Sequence, residues 1–296
     1  MPVEFIPSPE LYPFESKWFE SSVGRVHYID EGTGRPIVFS HGQPMWSFLY
    51  RHIVIGLRDR FRCVVIDYPG YGLSVRPDGY GYTPREHSGV LEELVDHLGL
   101  DDMVVMGQDW GGPIVMSMAA ARPSRVTGIV LGNTWFWRGQ TAMRLFSRYM
   151  STGFMQRRII EDNWFVEKIP RGVATGLSDQ AMEHYRAVQP APELRLALAV
   201  APRELTASAD WLGGLETQVK ANLASKPVLL VWGMKDQGFP RRVLNRMERV
   251  FDDRMVVELP HSDHYIQEDS PNEIIAAIID RFDRHSSTST TTAHFE

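Results

Sequence analysis

The stretch Val104-Val105-Met106-Gly107-Gln108-Asp109-Trp110-Gly111-Gly112 decides how this chain is read. Its Gly-x-Asp-x-Gly centre has the form of the Gly-x-Ser-x-Gly nucleophile elbow, a strand-to-helix turn so tight that its flanking positions cannot carry side chains. Residues 104–106 predict the strand entering the turn. Residues 113–121, Pro-Ile-Val-Met-Ser-Met-Ala-Ala-Ala, predict the buried helix leaving it. An aspartate stands where a serine would attack acyl carbons. A carboxylate is already ionised near neutral pH and displaces leaving groups from alkyl carbon, so the elbow points to hydrolysis through an alkyl ester.

Outward from the elbow, residues 25–29, 36–40, 62–66 and 126–131 read as apolar strands, with a helix after Pro44. Apolar strands separated by helical segments imply a mostly parallel central sheet with helices on both faces. From about residue 134 the pattern turns helical and rich in Arg, Met and aromatics, until residues 227–233 resume the sheet. The spacing predicts a core over 1–133, an inserted helical cap over 134–218 above the carboxyl ends of the strands, and a second core segment over 219–284. That last segment holds a strand at 255–259 and a helix from Pro271. Residues 285–296 have too little apolar content to fold alone and read as a disordered tail without function.

The chain has 296 residues, 43% hydrophobic and 23% charged, with a net charge of -6. This length is enough for one large core with an insertion. The acidic balance offers no field for nucleic acid, so no nucleic-acid partner is expected. No apolar run is long enough to span a bilayer, and the start of the chain lacks signal-peptide features, so the expectation is a cytoplasmic protein without a membrane partner. Cys63 is the only cysteine and lies in an apolar run, which rules out an intrachain disulfide or a thiolate metal site.

Two further residues follow strands in the order that an elbow nucleophile requires. Asp236 follows the strand at 227–233, and His264 follows the strand at 255–259, giving nucleophile, acid and histidine in sequence. His261, in the same loop, is the competing base. Asn133, after the strand at 126–131, is no carboxylate and cannot replace Asp236.

His41-Gly42-Gln43-Pro44, Asp67-Tyr68-Pro69-Gly70-Tyr71-Gly72-Leu73-Ser74, the elbow, Trp232-Gly233-Met234-Lys235-Asp236 and His264-Tyr265-Ile266-Gln267-Glu268 together resemble the haloalkane dehalogenases of the α/β-hydrolase fold. The acid's position resembles subgroups that carry it after the post-cap strand. The resemblance implies a covalent alkyl-enzyme ester on Asp109 and water activated by His264, which Asp236 orients. It implies a halide held by Trp110 and Gln43, with the backbone N–H groups of both at the oxyanion. Its implied partners are a small apolar halogenated substrate, water and halide, with no cofactor and no metal. The family includes oligomers, so a homo-oligomer is compatible with the resemblance, although no interface signature stands out.

Gln43 departs from the asparagine common in that family, placing the same amide on a longer and looser arm; Trp135, Trp137 and Trp164 are the alternative halide donors. Of the aromatic cluster at Trp135, Phe136, Trp137, Phe146, Phe154, Trp164 and Phe165, two or three members are expected to face substrate. The competing activity is an epoxide hydrolase using Tyr149 and Tyr185 of the cap as acids. A ligand receptor or a luciferase-like protein on the same fold is a further alternative.

Overall fold

The computed structural model describes residues 4–283, so the expected tail at 285–296 lies outside the described residues. Eight strands form one sheet: β1 (Lys17–Ser21), β2 (Gly24–Glu31), β3 (Arg35–Ser40), β4 (Phe61–Ile66), β5 (Met103–Asp109), β6 (Val126–Thr134), β7 (Val228–Gly233) and β8 (Arg254–Leu259). Their spatial order is β1-β2-β4-β3-β5-β6-β7-β8. The pairs β1–β2 and β2–β4 are antiparallel and every other pair is parallel. Met103, Val104, Val105 and Met106 of β5 are fully buried. A central parallel strand is covered on both faces, which is why it reads as an unbroken apolar run. Seven strands fall where the apolar runs predict them. The eighth, β1, is an edge strand with one fully buried side chain, Phe19, and carries too little pattern to be read.

The helices Arg51–Leu57 and Pro271–Phe282 pack on each other, while Pro84–His97, Gly111–Ala121 and Ala209–Asn222 form a second group. Between β6 and β7 the chain makes five α-helices, Thr141–Met150, Gly153–Glu161, Asp179–Ala187, Leu196–Ala207 and Ala209–Asn222, and no strand. Leu196–Ala207 packs against the first two of these. The junction read at 218/219 falls inside Ala209–Asn222. That helix buries Leu212, Leu215 and Val219, and its Asn222 Nδ2 donates to the Ala120 carbonyl at 2.9 Å, so it is fastened to the core helix Gly111–Ala121. Among the described residues, no helix is long and apolar enough to cross a membrane.

The strand order reverses at β3. Its sequence successor β4 lies on one side and β5 on the other, so β3 and β5 flank the point at the carboxyl edge of the sheet where open α/β folds bind ligands. The helix after β5 starts so close to β3 that a Cβ on Gly111 would collide with the Ser40 carbonyl. Backbone cannot retreat as a flexible side chain can. Gly111→Ala is therefore expected to destabilise the fold by about 1–3 kcal/mol. The measurement is a lower urea midpoint; an unchanged midpoint would contradict this steric reading.

Candidate active site

Asp109 ends β5 with φ at 51°, in the left-handed region where a side chain is strained. Its backbone is fixed by Thr134 Oγ1, which donates to the Asp109 carbonyl at 2.6 Å. The loop leaving β3 then passes directly over the carboxylate, where the Gln43 backbone N–H donates to Oδ1 at 2.9 Å. Gly42 makes this approach feasible, since a Cβ there would lie 2.5 Å from both Cβ and Oδ1 of Asp109. Burial pushes the Asp109 carboxyl upward. His264 and the backbone N–H groups of Trp110 and Gln43 oppose the rise without cancelling it.

The other two expected residues converge on this carboxylate. His264 Nε2 lies 3.9 Å from Asp109 Oδ2, and Nδ1 lies 2.8 Å from Asp236 Oδ2. His261 is exposed in the same loop and takes no part in this chain of groups. Asp236 Oδ1 accepts from the backbone N–H groups of Gly238 at 2.7 Å and Phe239 at 3.2 Å, and Oδ2 accepts from Asn133 Nδ2 at 3.0 Å. Burial would raise this carboxyl, but His264, Gly238 and Asn133 outweigh burial and hold it below its ordinary value. For His264 burial works downward, yet Asp236 and then Asp109 and Asp263 outweigh it and pull the imidazole up to about 9.

Two residues here lie outside the sequence-based set. Asn133, excluded as an acid, instead brackets Asp236 while its amide also exchanges hydrogen bonds with the Gly233 backbone, at 3.0 Å to the carbonyl and 2.7 Å from the N–H. Its position after a strand was the available signal. Gln108, fully buried beside Asp109, places Nε2 3.2 Å from His264 Nε2. Nothing local marks it.

Above these groups lies a cavity of about 470 Å³. Trp135, Trp137, Phe146, Trp164 and Phe165 of the aromatic cluster line it. Phe136 instead packs on Phe251, and Phe154 is exposed. Asp109, Trp110, Gln43 and His264 also line the cavity, as do Gln140, Gln237 and Arg242. The Trp110 indole N–H has no partner among the described residues. The Gln43 arm is not loose: Nε2 donates to the Leu198 carbonyl at 2.8 Å, and Oε1 accepts from the Tyr71 hydroxyl at 2.9 Å. That leaves one amide hydrogen unassigned. The Trp135 indole N–H is buried without a partner in the same wall. Tyr149 is exposed and the Tyr185 hydroxyl donates to Glu268, and neither residue lines the cavity. Among the described residues, no group of three or more His, Cys, Asp or Glu side chains is arranged to hold a metal.

Residues 35–271 match the family model of the alpha/beta hydrolase fold. Haloalkane dehalogenase 2 of Mycobacterium tuberculosis is 54% identical over 285 residues, covering 95% of this chain and 100% of that protein. This chain belongs to the haloalkane dehalogenase family. The crystal structure of haloalkane dehalogenase DbeA from Bradyrhizobium elkani superposes with a TM-score of 0.81 at 27% identity, covering 90% of this chain and 97% of that one. A more distant relative, cis-3-alkyl-4-alkyloxetan-2-one decarboxylase of Shewanella oneidensis, is 30% identical over 90% of this chain and 88% of its own length.

In this member of the haloalkane dehalogenase family, the Asn133 bracket has a measurable energetic signature. A carboxyl held low stabilises the fold above its unfolded pKa, and that contribution fades as pH falls through the folded value. Asn133→Leu is expected to lose about 1–3 kcal/mol near neutral pH, because Asp236 and the Gly233 N–H are left uncovered. The loss should shrink below the carboxylate range. Urea unfolding at both pH values tests this, and equal losses would separate Asn133 from the Asp236 charge.

Proposed function

We propose that this protein hydrolyses haloalkanes to alcohol and halide through a covalent ester on Asp109. One observation carries the reading: Oδ1 of Asp109 is pinned by a backbone N–H, while Oδ2 remains beside the cavity and His264 Nε2. Oδ2 attacks the carbon from behind, forming a C–O bond as the carbon–halogen bond breaks and both its electrons leave with the halide. The indole N–H of Trp110 and the unassigned amide hydrogen of Gln43 receive the anion, because a halide buried without donors is costly. Leu198 and Tyr71 hold the glutamine arm in place for that task.

Water then attacks Cγ of Asp109, and His264 Nε2 takes its proton. Asp236 keeps the imidazole oriented and stabilises its charged form. The developing negative charge falls on Oδ1, to which the Gln43 backbone N–H already donates, with the Trp110 N–H as the second donor in this reading. Collapse restores the carboxylate and releases the alcohol, which takes up the proton. Esterification removes the Asp109 charge, one of the carboxylates that raise the imidazole after Asp236, so His264 loses part of that pull as the base is needed. Residues 134–218 act in this reading as the cap that supplies the apolar walls. The epoxide reading is weakened by Tyr149 and Tyr185, which lie outside the cavity.

The name of the Shewanella relative favours a second electrophile for the same carboxylate, a strained four-membered lactone whose ring oxygen leaves a saturated carbon. Bromide release from 1-bromohexane tests the main reading. Wild type should turn over, Asp109→Asn should release none, and Trp110→Phe should fall about 10²-fold in kcat. His264→Phe should release bromide once per protein and carry the alkyl group on Asp109. Carbon dioxide and alkene from a cis-3,4-dialkyl oxetanone, without bromide from any alkane, would install the second reading instead.

A further inference from the structure

Gln108 immediately precedes Asp109 in β5 and is fully buried. Its Nε2 lies 3.1 Å from the His264 carbonyl and 3.2 Å from His264 Nε2. A carbonyl only accepts, so the amide nitrogen, not its oxygen, must stand on this side. Its second hydrogen is then left for the imidazole. A ring nitrogen that accepts carries no proton, so the proton of a neutral His264 sits on Nδ1, facing Asp236 Oδ2 at 2.8 Å.

The charged neighbours of the ring all pull the other way. Asp236 and Asp109 lie on either side of it, and Asp263 Oδ1 accepts from the His264 backbone N–H. Phe239 stacks on the ring and Tyr265 meets it edge-on, neither bearing charge at neutral pH. Carboxylates favour imidazolium, and a histidine protonated at rest cannot accept a proton from water. Apart from burial itself, the Gln108 N–H is the group in contact with the ring that favours the neutral form.

We propose that Gln108 is a positioning residue for ester hydrolysis: its amide N–H opposes the pull of the carboxylates on His264, favours the neutral tautomer with the proton on Nδ1, and yields the Nε2 lone pair to the attacking water. The hydrolytic role rests on the dehalogenase reading. The lone pair takes one proton at a time, so the amide must release the ring as water arrives. Its other hydrogen, on the His264 carbonyl, keeps the side chain anchored. Water oxygen bonds to Cγ of Asp109 and its proton passes to Nε2, so the step needs no further reactant. Gln108 Oε1 is buried without a partner, so removing the amide costs the His264 carbonyl its donor and strands no further group.

The test is a pH titration of the His264 ring by NMR, using protein labelled at histidine Cε1 and His264→Gln for assignment. Gln108→Leu and Gln108→Met, both lacking the donor, should move the midpoint up by about half to one unit. Gln108→Glu, which sets a carboxylate against Nε2, should move it further. Unchanged or lowered midpoints in both the Leu and Met variants overturn the proposal. A second readout splits the reaction. With 1-bromohexane the first bromide released per protein should be unchanged in rate, while the acid limb of steady turnover moves up with the NMR midpoint. Turnover whose acid limb stays put while only its rate falls would leave Gln108 a packing residue. If wild type never forms an ester on Asp109, the dehalogenase reading fails, and the NMR midpoints still decide whether Gln108 governs the ring.

Discussion

The site depends on one backbone conformation, the left-handed turn that Asp109 adopts between β5 and the helix Gly111–Ala121. A non-glycine residue in that region costs on the order of 1–3 kcal/mol, and it persists only where its surroundings over-determine it. Here they do. Thr134 grips the Asp109 carbonyl from β6, the Gln43 N–H grips its carboxylate from the loop after β3, and glycine at 42 and 111 lets these neighbours approach. The turn lifts the carboxylate out of the sheet at the point where strand order reverses, so a crevice opens beside it. A side chain continuing the β5 register would have stayed among its neighbours.

From that carboxylate, charge is laid out in a line of alternating sign: Asp109, His264, Asp236. Each member is buried enough for an isolated charge to be unfavourable, and each is held by the next. Asp236 is the firmest of the three, with two backbone N–H groups and Asn133 on its oxygens. Asp109 is the least settled, raised by burial and tied through one oxygen by the Gln43 N–H. That imbalance suits a nucleophile. The apolar cavity above it raises the cost of the bare carboxylate.

Much of this was legible in the sequence because buried parallel strands write themselves as continuous apolar runs, and the residue following each run is where chemistry collects. Asp109, Asp236 and His264, which the fold brings beside one another, were singled out that way. The edge strand β1, with only Phe19 fully buried, leaves no comparable trace. Other features depend on contacts between distant segments. The firmness of the Gln43 arm comes from Leu198 and Tyr71, so the looseness inferred from its length does not hold. Which cap aromatics line the cavity depends on how loops and helices from separate segments come together, and only one of them, Phe146, lies on an α-helix. Gln108 and Asn133 act through hydrogen bonds to single atoms of His264 and Asp236, a precision that residue pattern does not carry.

The central claim is that water attacks the enzyme's ester carbonyl and not the substrate carbon. A single turnover in water enriched with oxygen-18, with protein in excess over 1-bromohexane, addresses it directly. The alcohol should carry ordinary oxygen from Asp109, and the peptide containing Asp109 should gain one heavy oxygen. Heavy oxygen in the alcohol of the first turnover, with that peptide unchanged, would mean direct displacement by water and would contradict the covalent route.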